Sequence, residues 1–206
     1  MDLERLEQKL KKRLEYPYIW GGKQTNEKDK ATNFLYKTYS PASVINKCRS
    51  KNLGDELENY ALVRWYNFWS AMGAEQLFAE HERVTPNINQ YDRLEDFKID
   101  DISFDHKTSI FPKGFGKDIS YAKENEAELI KWFYTEQSRT KRNLNQNRLF
   151  IIVYDQNGEH WKMKSDLTSF KEAIDNFMKS YNKDDLHTIT FDDGTTALSS
   201  IIWIER

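Results

Sequence analysis

The stretch DFKIDDISFDHK, residues 96–107, constrains the fold more than any other part of the chain. Apolar and polar residues alternate on both sides of Asp100-Asp101, and a period of two predicts strands with one buried face. A tight turn at these two aspartates joins the strands into a hairpin and fixes which residues are opposite each other. The expected pairs are Ile99 with Ile102, Lys98 with Ser103, Phe97 with Phe104, and Asp96 with Asp105.

The polar face of this hairpin brings two carboxylates and a lysine into a small area. Residues directly opposite on one face have Cβ atoms about 4.5–5.5 Å apart, which applies here to Asp96 and Asp105. Like charges that close repel unless a cation lies between them or one carboxylate is protonated. Lys107 follows Asp105 by two residues and shares its face. The pattern predicts a divalent metal beside a positive charge, whereas the plain alternative is a solvated strand face. His106 points to the apolar face and is interpreted as a core histidine.

Composition limits the classes of protein that fit the sequence. Aromatic residues make up 14% of the 206 positions, which argues against disorder. The formal net charge is -2, so binding to nucleic acid requires a local basic patch or a metal. A single cysteine, Cys48, excludes an internal disulfide and a cysteine-based zinc site.

Two further features predict a cytoplasmic protein without a membrane partner. The first sixteen residues, MDLERLEQKLKKRLEY, are charged throughout and do not resemble a signal peptide. The longest apolar run, Leu149–Tyr154, is far too short to span a bilayer.

The order of predicted elements indicates an α/β (α+β) fold with a mixed sheet. The predicted helices are residues 2–15, 25–36, 40–49, 55–72, 124–137 and 166–181, and Gly73 is expected to end the fourth. The predicted strands of the central sheet are residues 76–84, 93–99, 102–111 and 148–155. Further strands are expected at residues 187–191 and 200–204, and a hairpin turn at Asn157-Gly158 is expected to lead into a strand at 160–163.

With these residues, the chain resembles the PD-(D/E)XK nuclease superfamily of restriction endonucleases, resolvases and repair nucleases. Asp105-His106-Lys107 matches the (D/E)XK element, and Asp96 matches the aspartate that precedes it. Gly54, Glu58 and Ala61 are similar to the family's first-helix pattern, in which the glutamate completes the metal shell. The resemblance covers roughly residues 54–155.

Two positions in this resemblance have competitors. Asp92 also lies at a spacing found in the family, but it needs a wider turn around Lys98 and Ile99 that spoils the alternation, so Asp96 is favoured. Glu56 competes with Glu58. Residues 56 and 58 lie about 200° apart on a helix, so only one of them can face the hairpin.

The resemblance implies a fold and a function. It implies a restriction endonuclease-like core at 53–206, with a mixed four- to five-stranded sheet flanked by helices. A helical extension at 1–52 is expected to pack on this core within a single domain. It also implies a Mg²⁺-dependent DNA nuclease of restriction, mobile-element or repair type, possible as a homodimer, in which Mn²⁺ substitutes. Asp96, Asp105 and Glu58 would hold the metal, the His106 carbonyl would be a further ligand, and Lys107 would orient the attacking water.

Basic loops beside the cleft are the expected contacts with DNA. One candidate patch contains Arg139, Lys141 and Arg142, and the other contains Lys113 and Lys117. Two other hypotheses remain. One is a catalytically inactive nuclease fold that binds nucleic acid or serves in an assembly, and the other is an unrelated α/β protein whose hairpin is only structural.

Overall fold

The central hairpin forms as the alternation predicts, within a chain that divides into two compact units. The computed structural model describes residues 1–19, 22–89, 94–136 and 145–206. The first unit contains Met1–Gln76 and Lys164–Leu167, and the second contains Leu77–Met163 and Thr168–Arg206. The hairpin belongs to the second unit.

The first unit is helical, and its helices begin where the sequence supplies caps. The Asp2 carboxylate accepts from Arg5 N–H before the first helix, and the Ser40 hydroxyl accepts from Ser43 N–H before the third. The helices are α1 (Leu3–Arg13), α2 (Asn26–Thr32), α3 (Pro41–Ser50) and α4 (Gly54–Phe78), with a 3₁₀ helix at Asn33–Lys37. The fully buried core of this unit includes Leu10, Leu35 and Trp65.

Gly73 does not end a helix, contrary to the prediction. Helix α4 continues through it to Phe78. A Cβ atom at this position would lie 2.9 Å from Cδ2 of Leu167 and 3.3 Å from Cδ2 of Leu6. The glycine therefore allows close packing inside the helix, and a helix stop was the wrong reading of it. The expected strand at 76–84 is wrong for the same reason, because its first three residues are helical.

A buried lysine lies in the short segment that completes the first unit. The Lys164 ammonium donates to Oδ1 of Asn67 at 3.1 Å. Burial lowers the pKa of Lys164 to about 8, because removal from water penalises the charged form.

The second unit contains a mixed six-stranded sheet in the order β1-β2-β3-β4-β6-β5. The strands are β1 (Val84–Pro86), β2 (Phe97–Ile99), β3 (Ile102–Ile110), β4 (Arg148–Tyr154), β5 (His187–Thr190) and β6 (Thr196–Glu205). Strands β1, β2 and β3 are antiparallel neighbours, whereas β3, β4 and β6 are parallel. β5 closes the sheet antiparallel to β6. The fold is therefore mixed α/β.

Within the hairpin, the predicted pairs Phe97–Phe104, Lys98–Ser103 and Ile99–Ile102 are confirmed, but the pairing ends at Phe97–Phe104 and does not include the predicted pair Asp96–Asp105. Asp100 takes a φ of 52° in the turn, and its carboxylate accepts two hydrogen bonds from the Arg83 guanidinium, at 2.8 and 3.1 Å. The continuous apolar run predicted as a strand buried on both faces is β4, which is buried from Arg148 to Val153.

Helices pack on this sheet around an aromatic core. The helices that follow β3 are α5 (Ile119–Glu124), α6 (Glu126–Glu136), α7 (His160–Met163) and α8 (Leu167–Ser180), with 3₁₀ turns at Lys113–Phe115 and Lys183–Asp185. Phe133 of α6 stacks on Phe150 of β4, with ring centroids 4.9 Å apart and planes 18° apart. The helix predicted at 124–137 is confirmed as α6, and Asn125 separates it from α5, which was not predicted.

The strand predicted at 160–163 is wrong, because these residues form α7. The Asn157-Gly158 turn is present, with Gly158 at a φ of 79°. Asp155 N–H donates to Nδ1 of His160 at 2.8 Å, and this bond joins the end of β4 to the helix. The turn signal was correct, but the element after it was not.

Candidate functional site

Asp105 lies at the centre of a buried charge cluster on β3. Its side chain bonds Lys107, whose Nζ is 2.5 Å from Oδ1, and Arg148, whose Nε is 2.6 Å from Oδ2. Strand alternation places Lys107 on the same face as Asp105, and the parallel pairing of β3 with β4 places Arg148 directly beside it. The carboxylate is therefore held by two cations from two strands.

The burial of Asp105 corrects the expectation of a solvated polar face. Only 3% of the residue is exposed, and β4, which pairs with β3 along the edge opposite β2, brings the Arg148 side chain against it. An ion pair in such an environment is much less screened than one on the surface. Asp105 thus contributes to the packed interior as well as to the candidate site.

Arg148 is the residue of this cluster that the sequence did not reveal. The strand predicted at 148–155 begins at Arg148, but no partner was predicted for this residue, which is 9% exposed and opens β4. Its guanidinium carbon lies 5.0 Å from the ring centroid of Tyr134 and 5.8 Å from that of Phe150. The sequence did contain a sign of this ion pair. An arginine directly before an uninterrupted apolar run is expected to be buried, and a buried charge is paired with an opposite charge.

Asp96 has a different set of partners from Asp105. It lies just before β2, and its backbone N–H donates to the Phe104 carbonyl at 2.8 Å. Its Oδ2 accepts from the backbone N–H of His106 at 2.7 Å and lies 3.2 Å from Nδ1 of the same residue. Burial raises the pKa of Asp96, but the hydrogen bonds and charge of His106, together with the charge of Lys107, outweigh this and lower it. The carboxylate therefore favours its ionised form.

His106 combines the expected core position with an unexpected polar contact. The residue is buried, and its ring stacks on Phe97 with planes 28° apart and centroids 6.4 Å apart. It nevertheless reaches the Asp96 carboxylate, so the interpretation as a purely packing histidine was incomplete.

The oxygen atoms of this site suit a hard divalent cation. Carboxylates and main-chain carbonyls are the ligands that Mg²⁺ prefers, and Asp96, Asp105 and the His106 carbonyl supply them. Lys107 holds one oxygen of Asp105, but its side chain is 47% exposed and flexible enough to turn towards solvent. In donor type these residues suit such an ion, but both oxygens of Asp105 are already bonded, one by Lys107 and the other by Arg148.

The other predicted residues lie outside this cluster or outside the described part of the chain. Glu58 belongs to the first unit, where Oε2 accepts from Nε of Arg49 at 3.3 Å, and its competitor Glu56 pairs with Lys28. Asp92, Arg139, Lys141 and Arg142 lie outside the described residues.

Two basic residues of the expected DNA contact lie just after β3. Lys113 begins a 3₁₀ turn and is exposed, as is Lys117. The Lys117 ammonium lies 5.1 Å from the ring centroid of Tyr121. Both cations remain available to a ligand, but the described structure adds no anion-binding geometry to either.

Within the described ranges, no helix combines the length and the apolar character that crossing a membrane requires. In comparisons with protein-family models, with curated proteins and with solved structures, nothing matched this chain.

Proposed function

We propose that the chain is a metal-dependent nuclease that hydrolyses phosphodiester bonds in DNA. The observation that carries this proposal is the buried Asp105 carboxylate with the half-exposed Lys107 ammonium 2.5 Å away, and with Asp96 just before the neighbouring strand β2. Carboxylates that can hold a metal, with a cation nearby, are the groups that metal-assisted attack on a phosphodiester uses.

The order of elements also supports the proposal. A long helix, α4, precedes three antiparallel strands, and helices α5 and α6 then lead to β4, which is parallel to β3. This is the order that the resemblance to the PD-(D/E)XK nucleases implies, with Asp105 and Lys107 on the third of these strands.

Each residue of the cluster has a distinct role in this reaction. Asp96 and Asp105 would hold Mg²⁺ or Mn²⁺. When bound, the metal supplies a water of lowered pKa and neutralises charge on the scissile phosphate. Lys107 would orient the attacking water and would stabilise the negative charge that develops on the phosphate oxygens. Arg148 touches no substrate in this scheme and instead positions the Asp105 carboxylate.

A second candidate function follows from the charge balance of the same cluster. Asp105 already has two cationic partners, and Asp96 bonds His106. A cluster that is compensated by its own side chains folds without a metal. This favours, as the alternative, a nuclease fold that binds nucleic acid or another protein without cutting.

The test compares cleavage with metal binding in matched variants. Wild type should nick supercoiled plasmid with Mg²⁺ or Mn²⁺ and not with EDTA. Lys107→Ala should lose roughly 10²–10³-fold in rate while keeping its Mn²⁺ affinity in calorimetry, because it removes a charge that stabilises the transition state and not a ligand. Lys123→Ala is the matched control, since Lys123 is 44% exposed and lies 2.6 Å from Glu205.

The aspartates are tested in the same assay. Asp96→Asn should lose metal affinity and activity together, whereas Asp92→Asn should keep both. The reverse outcome would assign the first ligand to Asp92. No cleavage and no Mn²⁺ binding by a folded wild-type protein would exclude the nuclease and leave the second candidate. If duplex is cut on both strands, sedimentation should show a dimer, since one site serves one strand.

A further inference from the structure

The first unit carries a basic segment in a chain whose net charge is negative. Residues 22–53 contain seven lysines and arginines and two acidic residues, while the whole chain has a net charge of -2. The basic residues are Lys23, Lys28, Lys30, Lys37, Lys47, Arg49 and Lys51. This local excess is the kind of feature that attracts a polyanion to an otherwise acidic protein.

Two tyrosines in this segment are exposed although each is held in place. Tyr36 is 43% exposed, and its hydroxyl accepts from Nη2 of Arg64 at 2.7 Å. Its ring also meets Phe68 edge-on, with centroids 4.7 Å apart. Tyr39 is 71% exposed and contacts the Trp69 ring at a centroid distance of 5.0 Å. Each ring therefore packs against a neighbouring aromatic side chain and is still exposed to solvent.

Three lysines of the same segment, Lys37, Lys47 and Lys51, are also exposed. Lys37 lies between the tyrosines in sequence, and the Lys47 ammonium donates to the Thr38 hydroxyl at 3.0 Å, which brings α3 against this turn. Lys51 follows Lys47 by one helical turn on the same side. Among the described residues, no carboxylate lies within ion-pair distance of any of the three.

We propose that this tyrosine–lysine surface, formed by Tyr36, Lys37, Tyr39, Lys47 and Lys51, binds single-stranded nucleic acid. The lysines contact phosphates, and the tyrosine rings stack on unpaired bases. Anchored aromatic rings among cations are the combination that single-strand binding uses, because every base has a face to stack and every linkage has a charge. A protein partner would leave the three cations uncompensated unless it were itself acidic. The inference rests on the proposed function in that it names a surface that holds the substrate.

The lysines are tested by binding in EDTA, where cleavage is absent. Fluorescence anisotropy of a labelled oligothymidine is compared for wild type, Lys37→Gln/Lys51→Gln, and the control Lys179→Gln/Lys183→Gln, which removes the same charge from other exposed positions. The first pair should weaken binding roughly tenfold. It should also reduce the slope of log affinity against log salt concentration by about 1.4, because each of the two lost phosphate contacts on a single strand contributes about 0.7. The control pair should leave both unchanged. An equal loss in both pairs would overturn the proposal, because binding would then follow total charge.

The tyrosine is tested separately. Tyr39→Ser should weaken single-strand binding roughly tenfold and Tyr39→Phe should not, because phenylalanine preserves stacking. Wild type should also prefer the single strand to a duplex of the same sequence. Equal binding by Tyr39→Ser and wild type, or a preference for duplex, would refute stacking.

These outcomes are distinguishable from those of the cleavage assay. Binding without cleavage by wild type would refute the nuclease and leave the surface. Cleavage with unchanged binding by Lys37→Gln/Lys51→Gln would refute the surface and leave the nuclease. An absence of oligonucleotide binding even at 50 mM salt would also overturn it and point to an acidic protein partner.

Discussion

Arg148→Met tests whether the buried ion pair with Asp105 holds the second unit together. Removing one partner of a buried pair typically costs about 3–5 kcal/mol, because the remaining charge stays out of water. Lys107 still binds the other oxygen of Asp105, so we expect the lower end, about 3 kcal/mol. Methionine keeps an unbranched chain beside Tyr134 and Phe150, so the loss reflects charge more than a cavity.

The double variant Arg148→Met/Asp105→Leu separates charge from packing. It leaves no buried carboxylate at position 105, and replacing a whole buried pair by apolar residues is often neutral or stabilising. We therefore expect the double variant to be more stable than Arg148→Met alone. Lys107 loses its partner in this variant, but its half-exposed ammonium can turn to water.

Urea denaturation followed by circular dichroism measures all four proteins of this cycle. The two single variants should lower the unfolding midpoint, and the double variant should recover at least part of the loss, with a coupling energy above about 2 kcal/mol. A cost below about 1 kcal/mol for Arg148→Met, or additive losses in the double variant, would refute the reasoning. Asp105 would then be a surface carboxylate in solution.

Three further changes test other parts of the fold. The pKa of Lys164 is lowered from 10.5 to about 8, so between these pH values the unfolded chain binds more protons and stability rises with pH. Lys164→Met should abolish that rise in urea midpoints and, at pH 7, remove a cost of up to about 3 kcal/mol. Gly73→Ala should lower the thermal midpoint by the equivalent of about 1 kcal/mol, because the crowding of the buried Leu167 exceeds the gain in helix propensity, and a higher midpoint would contradict this. Asp100→Gly should be nearly neutral, because relief of the positive φ offsets the lost Arg83 pair, whereas Asp100→Ala should have a lower thermal midpoint than Asp100→Gly in the same melts.

Local patterns in the sequence were sufficient for the hairpin and for several caps. The register of β2 and β3 was predictable because a two-residue turn fixes it and one face must be buried. Ser40-Pro41 similarly marked the start of α3, and the apolar run marked β4. Each of these features is decided by residues within a few positions of one another.

The wrong predictions of secondary structure concerned residues that can have more than one structural role. Gly73 looked like a helix stop, but the packing of Leu6 and Leu167, which are far away in sequence, decides its role. Asn157-Gly158 makes the same turn before a strand or a helix, and the Asp155–His160 bond selects the helix. The partner of Asp105 was equally hidden, because it follows from the pairing of β3 with β4.

The Asp105–Arg148 hydrogen bond joins residues 43 positions apart in the chain. The charge cluster can therefore form only after the chain has been synthesised as far as Arg148. A nascent chain that has reached β3 carries Asp105 and Lys107 but lacks the strand that fixes the carboxylate. Parallel pairing over such a separation is slow, because the loop must close before any contact compensates for it. The cluster consequently assembles late in synthesis and folding, and an incomplete or truncated chain ending before residue 148 would carry the motif without the organised site.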